Sequence, residues 1–266
     1  MENFSNKVIW ITGASSGIGE ALVYELASLG TRLIISARRK EELERVKSSC
    51  PASAQSNIAI LPLDLAQADT LKLTTEAAIN LFGHIDILIN NGGISQRSLI
   101  KDTDLSVDRK IMEVNYFGTI ALTRYLIPHF SERKEGHFVV VSSLVGRFGT
   151  PYRSGYSASK HALHGFFDAL RAELYADHIK VTMVCPGFIK TNVSINALTE
   201  KGDRFNKMDE AQAKGMPARI CARKIIQAFR KQKTEVYIGG REKYGVYLKR
   251  FFPNLFNRVI RKARVR

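Results

Sequence analysis

The strongest constraint on the fold of this chain lies at its amino end. Lys7-Val8-Ile9-Trp10-Ile11 is an apolar run of strand length, and Thr12-Gly13-Ala14-Ser15-Ser16-Gly17-Ile18-Gly19 follows it at once. An amphipathic stretch then runs from Glu20 to about Leu29 and stops at Gly30. Strand, glycine-rich turn and helix in that order put a bare backbone where a phosphate can approach a helix N-terminus. A glycine-rich hairpin or loop is the plainer reading of the glycines alone, and their position directly after the first strand weighs against it. The spacing is G-x-x-x-G-x-G, not the commoner G-x-G-x-x-G.

The rest of the chain repeats the alternation. Strand character recurs at Arg32–Ser36, Ile58–Leu63, Ile85–Asn90, His137–Ser142, Lys180–Cys185 and Glu235–Ile238. Between these lie helix-length segments at Lys40–Ser48, Ala66–Phe82, Ser106–Ser131, Ser157–Ala176 and Ala218–Lys231. Strand alternating with helix predicts an α/β fold, a mostly parallel seven-stranded sheet covered on both faces and doubly wound in the Rossmann manner. No Pro/Gly/Ser-rich linker and no internal repeat divides the 266 residues, so a single domain with a sizeable core is expected over residues 1–240. Residues 188–216 carry the weakest pattern, and a long loop of that kind inside a compact domain reads as a lid.

Residues 241–266 form a basic extension. Nine cations and one acid, Glu242, stand there, more than half of the chain's net charge of +15. Apolar residues recur in it at helical spacing from Tyr244 to Ile260, and Pro253 predicts a break into two short helices, the second starting near the proline. Such a stripe can pack on its own domain or a neighbouring subunit, or lie on an anionic membrane surface. Packing is the favoured alternative. Nucleic acid is not expected, since charge alone supports it. Three scattered cysteines without a C-x-x-C pair argue for a reducing, cytoplasmic setting and against a disulfide framework or zinc site. The histidines form no evident ligand cluster, and no metal is expected. Met1 to Asn6 leave no room for a leader before the first strand, and no run reaches the ~18 apolar residues of a membrane span.

Tyr156 and Lys160, in Tyr156-Ser157-Ala158-Ser159-Lys160, lie four apart and therefore on one helix face. On a surface helix such a pair is usually a solvated face. In a cleft it is an acid: an ammonium about 5 Å away at an effective dielectric of about 20 favours the phenolate by roughly 3 kcal/mol, or about 2 pKa units.

Five ordered motifs give these pairs a context. Thr12-Gly13-x-x-x-Gly17-x-Gly19, Asn90-Asn91-Gly92-Gly93, Asn115, Ser143 with Tyr156 and Lys160, and Pro186-Gly187 with Thr191 occur in that order. Together, from about residue 5 to residue 240, the chain resembles the short-chain dehydrogenase/reductase family, nearest its hydroxysteroid and lipid-type members. The segment reads N-N-G-G where the family has N-N-A-G, which loosens the backbone and removes no functional group. The resemblance implies a carbonyl/secondary-alcohol oxidoreductase with the tetrad Asn115, Ser143, Tyr156 and Lys160. Tyr156 would exchange the proton, Ser143 would hold the substrate oxygen, and Lys160 would acidify the phenol and hold the nicotinamide ribose. Asn115 would kink its helix and hold a relay water. It also implies cofactor contacts from Thr12, Gly13, Ser15, Ser16, Gly17, Ile18, Gly19, Asn91, Pro186, Gly187 and Thr191, and from Asp64 to the adenine. A helix N-cap is the alternative reading of Asp64.

At the end of the second strand, where NAD-binding folds place an acid, Ala37-Arg38-Arg39-Lys40 stands instead. Arg38 facing a 2′-phosphate predicts NADP(H). Phe148, Pro151, Tyr152, Phe188 and Ile189 are expected around Tyr156, making a pocket for a lipophilic ketone or alcohol. The family's habit of pairing through the Tyr156 helix implies a homo-oligomer. The competing reading, a silent cofactor-binding regulator or scaffold, would be expected to break the tetrad, which is intact.

Overall fold

In the computed structural model, residues 4–263 are described; the arginines at 264 and 266 of the basic run lie outside them. Strand β1 (Val8–Thr12) leads through the glycine turn into helix α1 (Gly17–Ala27). There follow β2 (Arg32–Ser36), α2 (Lys40–Ser48), the single turn α3 (Ala52–Gln55) and β3 (Ile58–Ile60). After α4 (Ala68–Phe82) and β4 (Ile87–Asn90) come α5 (Leu105–Met112) and α6 (Gly118–Arg133). Next are β5 (Gly136–Val141), α7 (Ser154–Glu173) and β6 (Ile179–Pro186). The last part holds the short β7 (Ile189–Lys190), α8 (Glu210–Ala213) and β8 (Met216–Pro217). It closes with α9 (Ala218–Arg230), β9 (Glu235–Ile238), α10 (Tyr244–Phe251) and α11 (Pro253–Arg261).

Seven strands form one parallel sheet in the order β3-β2-β1-β4-β5-β6-β9. The side-chain period of two splits each strand between the faces. Ile9, Ile11, Leu33 and Ile35 meet Leu22 and Leu26 of α1 and Phe229 of α9 on one side. Val8, Trp10, Ile34 and Phe138 meet Leu122 and Phe130 of α6 and Phe167 of α7 on the other. Both faces are thus apolar, as a parallel sheet requires. The winding reverses at β1: β2 and β3 lie to one side, β4 and the rest to the other. The loops leaving β1 and β4 diverge and open a crevice at the strand ends.

Two expected elements differ in detail. The strand expected over Ile58–Leu63 stops at Ile60, although Leu61 and Leu63 still donate to the Ile35 and Ala37 carbonyls at 3.0 Å each. The helix expected over Ser106–Ser131 is broken by a π turn at Glu113–Phe117, because the buried Asn115 side chain bonds away from its own helix.

The basic extension packs on the domain. Phe256 is buried against Phe148, ring centroids 5.2 Å apart, in a small cluster with Leu144, Val145 and Cys185. Its other face leaves Tyr244, Tyr247, Phe251, Phe252 and Leu255 exposed. Among the described residues no helix is long and apolar enough to cross a membrane.

Candidate active site

The crevice is built on the glycine turn. Gly13 has φ +67°, and a Cβ on it would lie 2.8 Å from Gly92 Cα; a Cβ on Gly19 would collide with the Gly13 carbonyl oxygen. Thr12 Oγ1 accepts from Asn91 N (3.1 Å) and Gly92 N (3.0 Å), and Asn91 Nδ2 donates to the Thr12 (3.1 Å) and Gly13 (3.2 Å) carbonyls. The loops after β1 and β4 are thereby tied together at backbone contact. The N-N-G-G departure fits this crowding, since a Cβ on Gly92 would fall 2.7 Å from Leu65 Cδ1.

A cavity of about 1450 Å³ runs along the strand ends. That exceeds the range of about 300–1,000 Å³ usual for one small ligand. Thr12, Gly13, Ser15, Ser16, Gly17, Ile18, Arg38, Asp64, Asn91, Pro186, Gly187 and Thr191 line it. Gly19 does not; its part is the close packing of turn against helix. Ser16 occupies the N-cap of α1 without a side-chain capping bond, which leaves the first N–H groups of that helix for a ligand. Asp64 does not cap α4, whose N-cap is Gln67; it accepts instead from Ala66 N at 3.0 Å. These residues fit a dinucleotide: an uncapped helix end, a turn without Cβ atoms and a cavity long enough for cofactor and substrate.

The tetrad residues come from three places, the end of β5, the π turn and α7. Ser143 follows β5 and faces the cavity, its Oγ donating to the Pro186 carbonyl (3.3 Å) and accepting from Val145 N (3.3 Å). Its neighbour Ser142 is committed to the scaffold through the Lys160 carbonyl (3.3 Å) and His164 Nε2 (3.1 Å). Tyr156 and Lys160 lie on α7. Asn115, fully buried in the π turn, accepts from Ile94 N (2.8 Å) and donates to Ile94 O (2.9 Å) and Ser159 Oγ (3.0 Å). Its side chain thus binds the β4 loop to α7.

Burial adds a further influence to the phenol–ammonium pair. Burial pushes the Tyr156 phenol above its ordinary value, while the Ser143 hydroxyl, Arg153 and Arg97 pull it down. Lys160 Nζ donates to the Val141 carbonyl at 2.8 Å and sits 5.8 Å from the Tyr156 ring centroid. Burial moreover drives Lys160 itself down to about 8.

Several neighbours of the site have roles that their sequence positions do not specify. Gln96 Oε1 accepts from Gly155 N (2.8 Å) and Tyr156 N (3.4 Å), which anchors the first turn of α7. Glu242, the one acid of the basic extension, accepts from Phe188 N (3.3 Å) and Gly240 N (3.0 Å) and joins that extension to the β6 loop. Of the expected substrate neighbours, Phe148, Phe188 and Ile189 line the cavity; Pro151 and Tyr152 do not. The turn carrying them, with Tyr152 at φ +66°, departs from the wall. The expectation that no histidine joins a ligand cluster also needs correction. His164, Cys185 and Glu235 bring ligand atoms within 4.8 Å of one another behind the site. Arg147 takes both Glu235 oxygens at 2.8 Å, so the group is a hydrogen-bonded network around a guanidinium.

This sheet and crevice define a dinucleotide-binding oxidoreductase of the Rossmann type. The chain belongs to the short-chain dehydrogenase family, whose model, "short chain dehydrogenase", matches residues 7–202. It is 41% identical to a "Dehydrogenase/reductase SDR family protein 7-like" of Drosophila melanogaster, over 98% of this chain and 81% of that protein. Its fold matches a short-chain dehydrogenase/reductase of Burkholderia phymatum in complex with NAD (TM-score 0.84, 22% identity, 96% of both chains). It also matches one of Burkholderia cenocepacia in complex with NADP (TM-score 0.80, 23% identity, 98% of this chain and 100% of that one).

Lys160 makes a testable contribution to stability. With a folded-state value of about 8 against an ordinary 10.5, the unfolded chain holds the extra proton between these two limits. Stability from this group therefore rises as pH rises through that window. Urea unfolding of the cofactor-free protein at pH 7.5 and 9.5 should show a rise on the order of 1–2 kcal/mol that Lys160→Met lacks; equal pH dependence in both would refute the burial argument.

Proposed function

We propose that this protein interconverts a lipophilic ketone and its secondary alcohol with NADP(H). The observation that carries the reading is the convergence of Tyr156, Ser143 and Lys160 on the cavity wall beside the glycine turn. A bound nicotinamide would supply or accept the hydride. The protein's part is the oxygen: Ser143 donates to it, and Tyr156 delivers the proton as negative charge develops. A phenol kept protonated by burial is the form reduction requires. Lys160 replenishes and steadies that end of the cleft, and Asn115 holds α7 in register with the β4 loop.

Arg38 supports the cofactor preference. It is exposed at the cavity edge just past β2, with Arg39 beside it and no acid at the strand end, and it makes no ion pair among the described residues. Phe148, Phe188, Leu248 and Phe256 support a lipophilic substrate by lining the far part of the cavity. The exposed apolar residues of α10 and α11 stand beside Lys249, Arg250 and Arg258, the composition of a helix pair that lies on an anionic bilayer. A lipophilic substrate would then enter from the membrane side. The three cysteines, all free and buried, are compatible with a cytoplasmic location.

Three measurements check these points. NADPH oxidation over a panel of ketosteroids, keto-lipids, aliphatic ketones and quinones should fall by about 10²–10⁴ in Tyr156→Phe; retained turnover would remove Tyr156 from its role. Arg38→Glu should lower the NADPH/NADH ratio of kcat/KM by roughly 10–100-fold, and an unchanged ratio would reject the phosphate contact. Flotation with phosphatidylglycerol vesicles should be strong at low salt, weaker at high salt and several-fold lower in Phe251→Asp/Phe252→Asp. Equal flotation of the double variant would exclude docking through this face.

A further inference from the structure

Strands β6 and β9 run side by side to the carboxyl edge of the sheet, where Pro186 pairs with Ile238. Each is followed by glycine, Gly187 after β6 and Gly239-Gly240 after β9. The Gly187 amide makes the last bond of this ladder, donating to the Ile238 carbonyl at 2.7 Å. Two further amides, Phe188 N and Gly240 N, lie past the end of the ladder and need another acceptor. Glu242 Oε1 takes both, at 3.3 and 3.0 Å. The carboxylate sits against bare backbone: a Cβ on Gly187 would collide with Oε1, and one on Gly239 would lie 2.6 Å from it.

The side chain that holds these amides belongs to the C-terminal extension. Arg241 and Lys243 flank it in sequence, yet its bonds go to backbone N–H groups, and among the described residues it makes no ion pair. A charged acceptor on two amides is a strong and directional tie. Glu242 lines the cavity together with Pro186, Gly187, Phe188 and Thr191. The stretch from Pro186 to Thr191 is held from its other side by the segment that ends at β8. There the Phe188 carbonyl accepts from Met216 N at 2.9 Å, and Gln212 Nε2 donates to the Ile189 carbonyl. Phe188 is thus clamped between β8 and Glu242. Without the carboxylate, the Gly187–Phe188 link, which has a glycine as its hinge, loses one of these two clamps.

We propose that Glu242 is a positioning residue for cofactor binding: by fixing the Gly187–Phe188 backbone between Pro186 and Thr191, it makes affinity for the nicotinamide dinucleotide depend on the C-terminal extension. The proposal rests on the reading of Pro186, Gly187 and Thr191 as cofactor contacts. Both amides reach a single oxygen of Glu242, and the side-chain carbonyl of a glutamine presents the same acceptor at the same reach. The loop therefore requires the acceptor and not the charge.

Calorimetry on the full chain tests this through the Kd of whichever of NADPH and NADH binds it more tightly. Glu242→Ala should raise that Kd roughly tenfold, while Glu242→Gln should stay within about threefold of the parent protein. Gly239→Ala, whose Cβ displaces the carboxylate without removing it, should weaken binding as Glu242→Ala does. The double variant should bind no more weakly than Glu242→Ala alone, since the new Cβ then has nothing to displace. An unchanged Kd in Glu242→Ala, a Glu242→Gln protein as weak as Glu242→Ala, or losses that multiply in the double variant each overturn the proposal. If Glu242→Ala does not fold, Gly239→Ala decides the case by itself, and the parent Kd there is the adverse result. A side chain that only braces the C-terminal helices would lower the unfolding temperature of Glu242→Ala and leave its Kd alone. Thr191→Val separates the inference from the reading beneath it. A raised Kd there with none in Glu242→Ala defeats the role of Glu242 alone, whereas the parent Kd in both defeats the cofactor contact of this loop as well.

Discussion

The contact on which the rest of this structure depends is the meeting of the β1 and β4 loops. Parallel strands wound outward from a centre leave a gap where the winding reverses, and the gap is useful only if its two sides are held at a defined distance. Here the Thr12 hydroxyl receives two backbone N–H groups and the Asn91 amide returns two bonds to the opposite carbonyls. The loops touch through backbone, a distance only glycine permits at Gly13 and Gly19. Each partner satisfies groups that would otherwise be buried unpaired, at a cost of about 1–3 kcal/mol apiece. The crevice is therefore rigid at its root and open at its rim.

Buried charge is distributed around that root. Lys160 gives up water and sits on a strand-end carbonyl; Arg97 and Arg153 gather on Asp209; Arg147 closes on Glu235 behind β6. Buried ions are rarely a source of net stability, and breaking one partner out of such a pair is costly. Their placement makes more sense as positioning. Arg97 and Asp209 pin α8 to the β4 loop, and backbone bonds between Leu198 and the Ser95 and Arg97 backbones (2.8 Å each) add a second pin. The segment read as a lid is thus latched at two points. Glu242 and Phe256 latch the C-terminal helices in the same way, and they form a cavity wall as a result.

Much of this was legible beforehand because it follows from local rules. Alternating apolar runs, the glycine turn at residues 13–19 and the Pro253 break each act over a few residues, and each element appeared where its pattern lay. The misses have a common cause. Asn115 stands in an unbroken helical pattern, and only its bonds to Ile94 and Ser159, far off in sequence, open the π turn. Lys160 and Tyr156 have the right spacing, yet what each does to the other depends on where Val141 ends. Gln96, Asp209 and Arg153 carry no periodicity at all. Glu242 left a trace, as a single acid in a basic run, but nothing in its neighbourhood said which amides it would meet.

The sequence by itself determined the α/β class, the strand order's likeness to the doubly wound sheet, the glycine turn and the spacing that sets Tyr156 and Lys160 on one helix face. Those are matters of spacing along the chain, where side-chain period and backbone freedom act directly. Only the tertiary structure decided that Lys160 meets the Val141 carbonyl, that burial pushes the Tyr156 phenol upward, and that two arginines share Asp209 beside it. Charge and solvation depend on what lies within a few ångströms in space, and residues that far apart along the chain become neighbours only when it folds.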